Sequence, residues 1–190
     1  MQNSAVFLDR DGVLIEDVHY LSSLHQIKLF PDVPEGLRQL KTLGLKLIVV
    51  TNQSGIARGY FTESFVHESH ACLSESLAKF GVTIDDFYFC PHHRDGHPPL
   101  NIDCECRKPA TGMLLQAAKD HDIDLEKSFV IGDKTSDVEL AYRSGANGIL
   151  VKTGKGVSES ETVAKRFPSA PILETFHDAV HLISQSLMKS

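Results

Sequence analysis

The stretch Ala5-Val6-Phe7-Leu8-Asp9-Arg10-Asp11-Gly12 is the part of the sequence that most strongly predicts the fold. Its four apolar residues predict a short buried strand, and the Asp-Gly pair favours a turn directly after it. Two carboxylates one residue apart at a strand end suit magnesium-assisted phosphoryl transfer. One carboxylate there can be metal ligand and nucleophile while its neighbour moves the proton. Alone, the pattern D-x-D-G is a weak signal, because such turns are common.

Two later apolar runs also end in polar residues. Residues 47–50 are followed by T-N-Q-S-G at 51–55, and residues 128–131 by G-D-K-T-S-D at 132–137. Predicted helices alternate with these strands, which is typical of a parallel sheet covered on both faces. The carboxyl ends of parallel strands share one edge, where ligands bind. We therefore predict that the acid pair, a hydroxyl and a second acid cluster meet at this edge.

The same alternation predicts one α/β domain over residues 1–190, with no repeat or linker. Strands are predicted at 5–9, 45–51, 84–89, 128–132 and 146–151, with a short one at 171–173. Helices are predicted from Pro31 to Gly44 and at 62–80, 111–121, 135–144, 158–166 and 174–187. The segment 90–109 interrupts the alternation, since it has little hydrophobic periodicity. A loop of this length usually needs something to hold it.

Composition limits the partners of the chain. It has 190 residues, 42% of them hydrophobic and 23% charged, which is ordinary for a soluble globular protein. The net charge of -6 disfavours non-specific binding to nucleic acid or membrane, so an anionic substrate must be held by local cations and metal. No leader or membrane-length apolar run is apparent. We expect a cytoplasmic protein and, because no apolar surface helix is evident, a monomer.

The irregular segment contains a pattern of metal ligands. Cys90-Pro91-His92 and Cys104-Glu105-Cys106 supply three thiolates and an imidazole, a complete tetrahedral shell for a structural Zn²⁺. Coincidental clustering is the alternative, but the loop at 90–107 has little else to order it. His93 and His97 are competing ligands, although the C-x-H pairing favours His92. Three other residues follow a helical pattern outside this loop: we expect Cys72 to be a small core residue, and His67 and His70 to be solvated or to pack.

Four motifs in order, D-R-D-G, T-N-Q-S-G, C-R-K-P and G-D-K, resemble those of the haloacid-dehalogenase-type phosphatases. The resemblance implies a Rossmann-like three-layer sandwich with a central, mostly parallel sheet, no separate cap domain and a zinc-bound loop. It implies that Asp9 attacks phosphorus to form an aspartyl-phosphate and that Asp11 is the general acid and later the base. Mg²⁺ would be held by Asp9, the backbone carbonyl of Asp11, and Asp133.

The phosphoryl group itself would be held by the remaining motif residues. Thr51 is expected to hydrogen-bond a phosphoryl oxygen, aided by the backbone of Asn52. Lys108 would place a cation on the phosphate. A lysine before a proline at a helix start is otherwise unexpected, because the helix N-terminus is already positive. Lys134 would bind substrate or pair with Asp9, and Asp137 is either an outer group of the site or an exposed helical acid.

The runs V-T-N-Q-S-G-I-A-R-G, C-P-H-H and C-x-C-R-K-P narrow the resemblance to the heptose-bisphosphatase and histidinol-phosphatase group, over residues 5 to about 155. It implies that Arg107 and Lys108 contact substrate and stabilise charge. Residues 55–59 would form a flexible flap, and Arg58 is either a second-phosphate contact or a surface residue. The full set of implied substrate contacts is Asp17, Val18, His19, Tyr20, Thr51, Asn52, Gln53, Ser54, Arg58, Arg107, Lys108 and Lys134. The run Val18-His19-Tyr20 and the Val13 after D-R-D-G depart from the pattern of the heptose group.

These features predict a Mg²⁺-dependent phosphatase with a structural Zn²⁺. The expected reaction removes the 7-phosphate of heptose 1,7-bisphosphate in the supply of nucleotide-heptose for lipopolysaccharide core. Histidinol phosphate is the alternative substrate. A DNA 3′-phosphatase would share the motifs, but the charge argues against it. A non-catalytic zinc-ordered phosphate-binding module is the alternative of another class.

Overall fold

The protein is built on one six-stranded sheet, which the computed structural model describes within residues 2–188. The strands are β1 (Ala5–Leu8), β2 (Lys46–Asn52), β3 (Asp86–Cys90), β4 (Phe129–Gly132), β5 (Asn147–Val151) and β6 (Ile172–Leu173). The helices are α1 (Val33–Thr42), α2 (Glu63–Ala78), α3 (Gly112–His121), α4 (Thr135–Ser144), α5 (Gly156–Arg166) and α6 (Phe176–Met188). The predicted elements are all found, and a 3-10 turn at Leu24–Gln26 was not predicted.

All neighbouring strands of the sheet are parallel, in the order β3-β2-β1-β4-β5-β6. This places β1 between β2 and β4, so the polar residues that follow these three strands lie side by side at one edge. No second sheet or inserted domain occurs among residues 2–188. The prediction of an α/β sandwich without a cap is therefore confirmed.

Both faces of the sheet are covered, as alternation along β1 illustrates. Val6 and Leu8 belong to a core with residues of α1, α2 and α6, whereas Ala5 and Phe7 belong to a second core with residues of α3 and α4. All four side chains are fully buried. A strand buried on both faces reads as a continuous apolar run, which explains the sequence of β1. Among the described residues, no helix has both the length and the apolarity to cross a membrane.

The segment before α3 differs from the prediction. Lys108 does not open a helix: it lies in a turn that precedes α3, which begins at Gly112. Pro109 disfavours helical backbone at the residue before it. The Gly112 N–H donates a hydrogen bond to the Glu105 carbonyl at 2.8 Å. The lysine is thus held on irregular backbone that leads out of the Cys/His loop.

Backbone hydrogen bonds join the Cys/His loop to the turn after β2. The Gln53 N–H donates to the Cys90 carbonyl at 2.8 Å, and the Ala57 N–H donates to the Pro91 carbonyl at 3.2 Å. The His97 N–H in turn donates to the Ala57 carbonyl at 2.6 Å, and Ala57 is buried. These contacts hold the segment expected to be a flap, residues 55–59, against the loop.

Candidate active site

Three buried carboxylates meet at the carboxyl edge of the sheet. Asp9 follows β1, Asp133 follows the neighbouring β4, and Asp137 lies in the first turn of α4. One oxygen from each lies within 4.8 Å of the others. Three acids in so small a volume need cations near them, because burying a carboxylate without compensation is costly.

Two lysines supply positive charge beside Asp9. Lys108 Nζ lies 3.0 Å from Asp9 Oδ1, and Lys134 Nζ lies 3.5 Å from Asp9 Oδ2. The Arg10 N–H also donates to Asp9 Oδ1 at 2.8 Å. Burial alone would raise the pKa of Asp9, but the two ammonium groups outweigh it and lower this pKa to about 2. Asp9 is therefore an ionised carboxylate at neutral pH, as a nucleophile must be.

The Lys108 ammonium lies close to three oxygen atoms. Its Nζ donates to the Val50 carbonyl at 2.8 Å and lies 2.7 Å from Asp137 Oδ1, in addition to its contact with Asp9. Burial opposes the charged form, yet Asp137 and Asp9 raise the pKa of Lys108. Asp137 also caps α4 by accepting the Lys134 N–H at 3.1 Å. The alternative that Asp137 is an exposed helical acid is wrong, because its side chain is buried and orients the lysine.

Asp133 has the properties of a ligand for a divalent cation. Burial and the negative charge of Asp9 raise the pKa of Asp133 to about 7. Its Oδ2 accepts the Lys155 N–H at 2.8 Å. Its Oδ1 lies 3.1 Å from Lys134 Nζ but accepts no aligned hydrogen bond within the described residues. A buried carboxylate with a free acceptor oxygen beside a second carboxylate fits Mg²⁺, which takes oxygen ligands and few carboxylates.

Glycines keep this carboxylate in place. A Cβ on Gly12, whose φ is +89°, would lie 2.2 Å from Asp133 Oδ2, and one on Gly154 would lie 2.3 Å from the same atom. The backbone at both positions approaches the carboxylate more closely than any side chain would allow. The D-R-D-G turn and the loop after β5 thus form a close-fitting wall around Asp133.

Asp11 lies on the wall of the adjoining cavity with its carboxylate hydrogen-bonded on both oxygens. Arg10 Nη2 lies 3.1 Å from Oδ1 and 3.0 Å from Oδ2, and Arg10 Nε donates to Oδ2 at 3.2 Å. Gln53 Nε2 donates to the same Oδ2 at 3.0 Å. Asp11 is thereby fixed beside, not within, the cluster formed by Asp9, Asp133 and Asp137.

The cavity above Asp9 has a volume of about 350 Å³ and a mostly polar wall. A cavity of this size fits a small phosphorylated molecule. It is lined by Asp9, Asp11, Asp17, His19, Tyr20, Thr51, Asn52, Ser54, Arg107, Lys108, Lys134, Ser136 and Lys155. Most of the expected substrate contacts are therefore brought together around it.

Three expected contacts do not line this cavity: Val18, Gln53 and Arg58. The Val18 carbonyl closes a tight turn by accepting the Tyr20 N–H at 2.9 Å. Gln53 is buried and bonds Thr51 Oγ1 at 2.9 Å as well as Asp11. Arg58 Nη2 lies 3.2 Å from Asp95 Oδ2 and 3.0 Å from His93 Nδ1, so its guanidinium is engaged within the loop region. Spacing in the sequence does not reveal such local partners.

Sequence reasoning did not single out Arg10, Ser136 or Lys155. Lys155 lies in the run K-T-G-K-G that follows β5. This is a polar strand end like the others, so the same pattern could have indicated it. Ser136 is the second residue of α4 and lies between Asp133 and Asp137 in the sequence. Arg10 lies inside the D-R-D-G motif itself, but nothing in its spacing indicates that its side chain is buried.

The Cys/His cluster, which comprises Cys90, His92, Cys104 and Cys106, forms a second candidate metal centre. Cys106 Sγ lies 3.0 Å from Cys90 Sγ and 3.3 Å from Cys104 Sγ, and His92 Nδ1 lies 3.3 Å from Cys106 Sγ. All four ligand atoms lie within 4.8 Å of one another. Burial and the neighbouring thiols raise the pKa of Cys90, so a cation is needed to hold this thiol as a thiolate.

The other histidines and the fourth cysteine lie outside the Cys/His cluster. His93 pairs with Arg58 and Asp95 instead. His70 stacks on Phe87 with ring centroids 4.6 Å apart, which confirms a packing role, whereas His67 is mostly exposed. Cys72, expected in the core, is only half-buried on α2, because it lies beside the buried positions of that helix and not among them.

The fold and the acid cluster together define a hydrolase of the haloacid-dehalogenase class. Residues 105–179 match the family model described as HAD-hydrolase-like. The chain is 44% identical over 181 residues to the D-glycero-beta-D-manno-heptose-1,7-bisphosphate 7-phosphatase of Pasteurella multocida, a match that covers 94% of this chain and 96% of that protein. The chain therefore belongs to the D-glycero-D-manno-heptose-1,7-bisphosphate 7-phosphatase family.

Two further relatives extend the comparison. A D-glycero-alpha-D-manno-heptose-1,7-bisphosphate 7-phosphatase of Photorhabdus laumondii is 42% identical over 155 residues, covering 80% of this chain and 85% of that protein. Among solved structures, the D,D-heptose 1,7-bisphosphate phosphatase of B. bronchiseptica, complexed with magnesium and phosphate, has a TM-score of 0.84 and 28% identity. That match covers 98% of this chain and 99% of the other, so the two folds correspond over nearly their whole length.

Proposed function

We propose that the protein removes the 7-phosphate of D-glycero-D-manno-heptose 1,7-bisphosphate and leaves heptose 1-phosphate. This reaction belongs to the supply of nucleotide-heptose for lipopolysaccharide core. The observation that carries the proposal is the ionised, buried Asp9 between the ammonium groups of Lys108 and Lys134, at the floor of a polar cavity. The names of the relatives at 42–44% identity support the substrate class.

In the proposed reaction, an Asp9 carboxylate oxygen bonds to phosphorus as the bond from phosphorus to the sugar oxygen breaks. Asp11 gives its proton to that leaving oxygen, which departs as a hydroxyl. Water then attacks the aspartyl-phosphate and loses a proton to Asp11, and inorganic phosphate leaves with the Asp9 carboxylate restored. Each proton is thus returned, and no oxidant or co-reactant is needed.

Positive charge near Asp9 makes an attack on an anionic phosphate feasible. Lys108 and Lys134 are the cations of this chain closest to the nucleophile. Thr51 and Asn52 are proposed to hold phosphoryl oxygens, and Arg107 to contact the sugar phosphate from the loop side. A Mg²⁺ held by Asp9, Asp133 and the Asp11 carbonyl would neutralise the charge of the phosphoryl group.

The Cys/His cluster is proposed to hold a structural Zn²⁺. Three thiols and one imidazole complete a tetrahedral shell without an open position. The cluster comes just before Arg107 and Lys108, so its order positions two proposed site residues. Asp17, His19 and Tyr20 also line the cavity and are proposed to contact the sugar.

The test is the rate of phosphate release with Mg²⁺ from both anomers of heptose 1,7-bisphosphate and from histidinol phosphate. We expect kcat/KM to be much larger for a heptose bisphosphate, and Asp9→Asn to abolish release. A preference for histidinol phosphate would contradict the proposed substrate but would remain consistent with the proposed mechanism. Release unaffected by Asp9→Asn would overturn the mechanism, and no release from any of these esters would leave a binding module.

A further inference from the structure

The Arg10 side chain lies beside the proposed proton-transfer group, and only 2% of it is exposed. A guanidinium is costly to bury unless its donors are bonded. Its Nη1 donates to Ser69 Oγ at 2.8 Å, and its Nη2 and Nε bond the two oxygens of Asp11. The side chain therefore links α2 to the turn that follows β1.

The Ser69 hydroxyl holds Arg10 by a hydrogen bond of defined direction. Its hydroxyl donates to the Val66 carbonyl at 2.7 Å, which leaves an oxygen lone pair to accept from Arg10. Ser69 is 1% exposed and α2 is packed on the core through Leu73 and Leu77. The guanidinium is thus held from a rigid helix and not from a mobile loop.

The same residue contacts both carboxylates of the motif. The Arg10 backbone N–H donates to Asp9 Oδ1, and its side chain forms a two-pronged contact with Asp11. A planar guanidinium fixes the plane of a carboxylate as well as its position. Proton transfer depends on such placement, since a shift of about 1 Å can cost on the order of 100-fold in rate.

We propose that Arg10, anchored by Ser69, is a positioning residue that orients the Asp11 carboxyl group, which gives its proton to the leaving oxygen. It lines a smaller adjoining cavity and not the one above Asp9, and its guanidinium bonds the Asp11 carboxylate, so it acts through Asp11. The inference rests on the proposed function, because it assigns Asp11 the proton that the sugar oxygen needs as its bond to phosphorus breaks.

The test compares phosphoenzyme formation from two esters in single-turnover experiments. A heptose bisphosphate has an alkoxide leaving group that needs a proton, whereas p-nitrophenyl phosphate releases a weak base that does not. We expect Ser69→Ala to slow the sugar reaction about tenfold and Arg10→Lys up to about 100-fold, with much smaller losses on the aryl ester and little change in substrate affinity.

Ser76→Ala is the matched control. Ser76 lies on the same helix, and its hydroxyl donates to the Cys72 carbonyl at 2.9 Å, away from the catalytic turn. It is expected to match the parent protein on both esters. Equal losses on both esters in Ser69→Ala, or no loss on the sugar, would overturn the proposal, even if Arg10→Lys fails to fold.

Asp11→Asn separates this proposal from the proposed function. It is expected to lose phosphoenzyme formation from the sugar ester but to retain it from the aryl ester. If Asp11→Asn shows no such selectivity, the proton-transfer role of Asp11 fails. If Asp11→Asn is selective while Ser69→Ala and Arg10→Lys are not, only the positioning role of Arg10 fails.

Discussion

Lys108 Nζ and Asp137 Oδ1 lie 2.7 Å apart, and neither side chain is more than 2% exposed. The same ammonium lies 3.0 Å from the proposed nucleophile Asp9. One buried ion pair therefore serves the stability of the fold and the charge balance of the site. Asp137 needs no direct contact with substrate to affect the reaction, because it holds the lysine that pairs with Asp9.

Asp137→Asn is expected to destabilise the protein by about 3–5 kcal/mol, as removal of one partner from a buried pair does. It should also lower phosphate release, since Lys108 loses its orienting partner. Urea unfolding measures the first effect and a phosphate assay the second. Glu161→Gln, in the exposed pair with Lys165, is the control and should leave the free energy of unfolding almost unchanged. Equal effects of the two substitutions would contradict the assignment.

Gly12→Ala is expected to displace Asp133, because its Cβ would lie 2.2 Å from Asp133 Oδ2. The Mg²⁺ concentration for half-maximal activity should then rise about tenfold or more. Gly44→Ala is a matched control, since Gly44 also has a positive φ, +81°, but no atom lies within 4 Å of the added Cβ. A similar rise in both variants would show that the effect comes from backbone strain and not from displacement of Asp133.

Cys104→Ser is expected to remove bound zinc and to lower the thermal unfolding temperature. The proposed zinc would tie the two ends of the loop together, and structural zinc sites contribute on the order of 10 kcal/mol to folding. Metal analysis of purified protein and thermal unfolding check the two effects. Cys72→Ser replaces a cysteine outside the cluster and should retain the metal. Parent protein without bound zinc would refute the proposed site.

His70 makes stability depend on pH. Burial, with the charges of Arg10 and His67, lowers the pKa of His70 from 6.5 to about 3. The unfolded chain therefore binds this proton below about pH 6.5 while the folded protein does not, so stability falls as the pH falls from 6.5 towards 3. The loss is on the order of a few kcal/mol.

His70→Phe should flatten that decline, because phenylalanine cannot take up a proton in either state. Urea unfolding at pH 7, 6, 5 and 4 measures the slope. His67→Phe, at a mostly exposed position on the same helix, should keep the slope of the parent protein. A slope that persists in His70→Phe would show that other groups dominate acid unfolding.

Arg58→Ala is expected to change KM for the heptose bisphosphate by less than about twofold. Its guanidinium contacts Asp95 and His93 and lies outside the lining of the cavity. Arg107→Ala should raise KM, since Arg107 lines that cavity. If both variants raised KM equally, Arg58 would have to reach the substrate, in contrast to its contacts here.

The sequence predicted the strand ends better than the contacts made there. The apolar runs in the sequence correspond to buried strands, and their ends carry Asp9, Thr51 and Asp133. The parallel topology of the sheet then brings these three residues to one edge. The burial of Asp137 was not predictable, because its i+4 spacing from Asp133 is equally compatible with a solvent-facing turn. Its partner Lys108 comes from 29 positions earlier in the sequence, and spacing carries no information on such pairs.

Side-chain direction accounts for the other differences. Gln53 and Arg58 lie in the polar run after β2, but Gln53 turns to Asp11 and Arg58 to Asp95. The sequence gives no role to Arg10, although it contacts both acids of the motif. The direction of each side chain depends on its rotamer and on partners distant in the sequence. Only the folded structure shows which partners lie close to it.

A single residue, Arg107, separates the last thiol of the Cys/His cluster from the catalytic-site lysine. Insertions or deletions at this junction would move Lys108 out of the carboxylate cluster, so we expect its spacing to be the same among relatives. The stretch 93–103 joins the two halves of the cluster and does not set this spacing. Divergence of substrate range within the family is therefore expected to arise by changes of length and composition in that stretch, while the junction keeps its spacing.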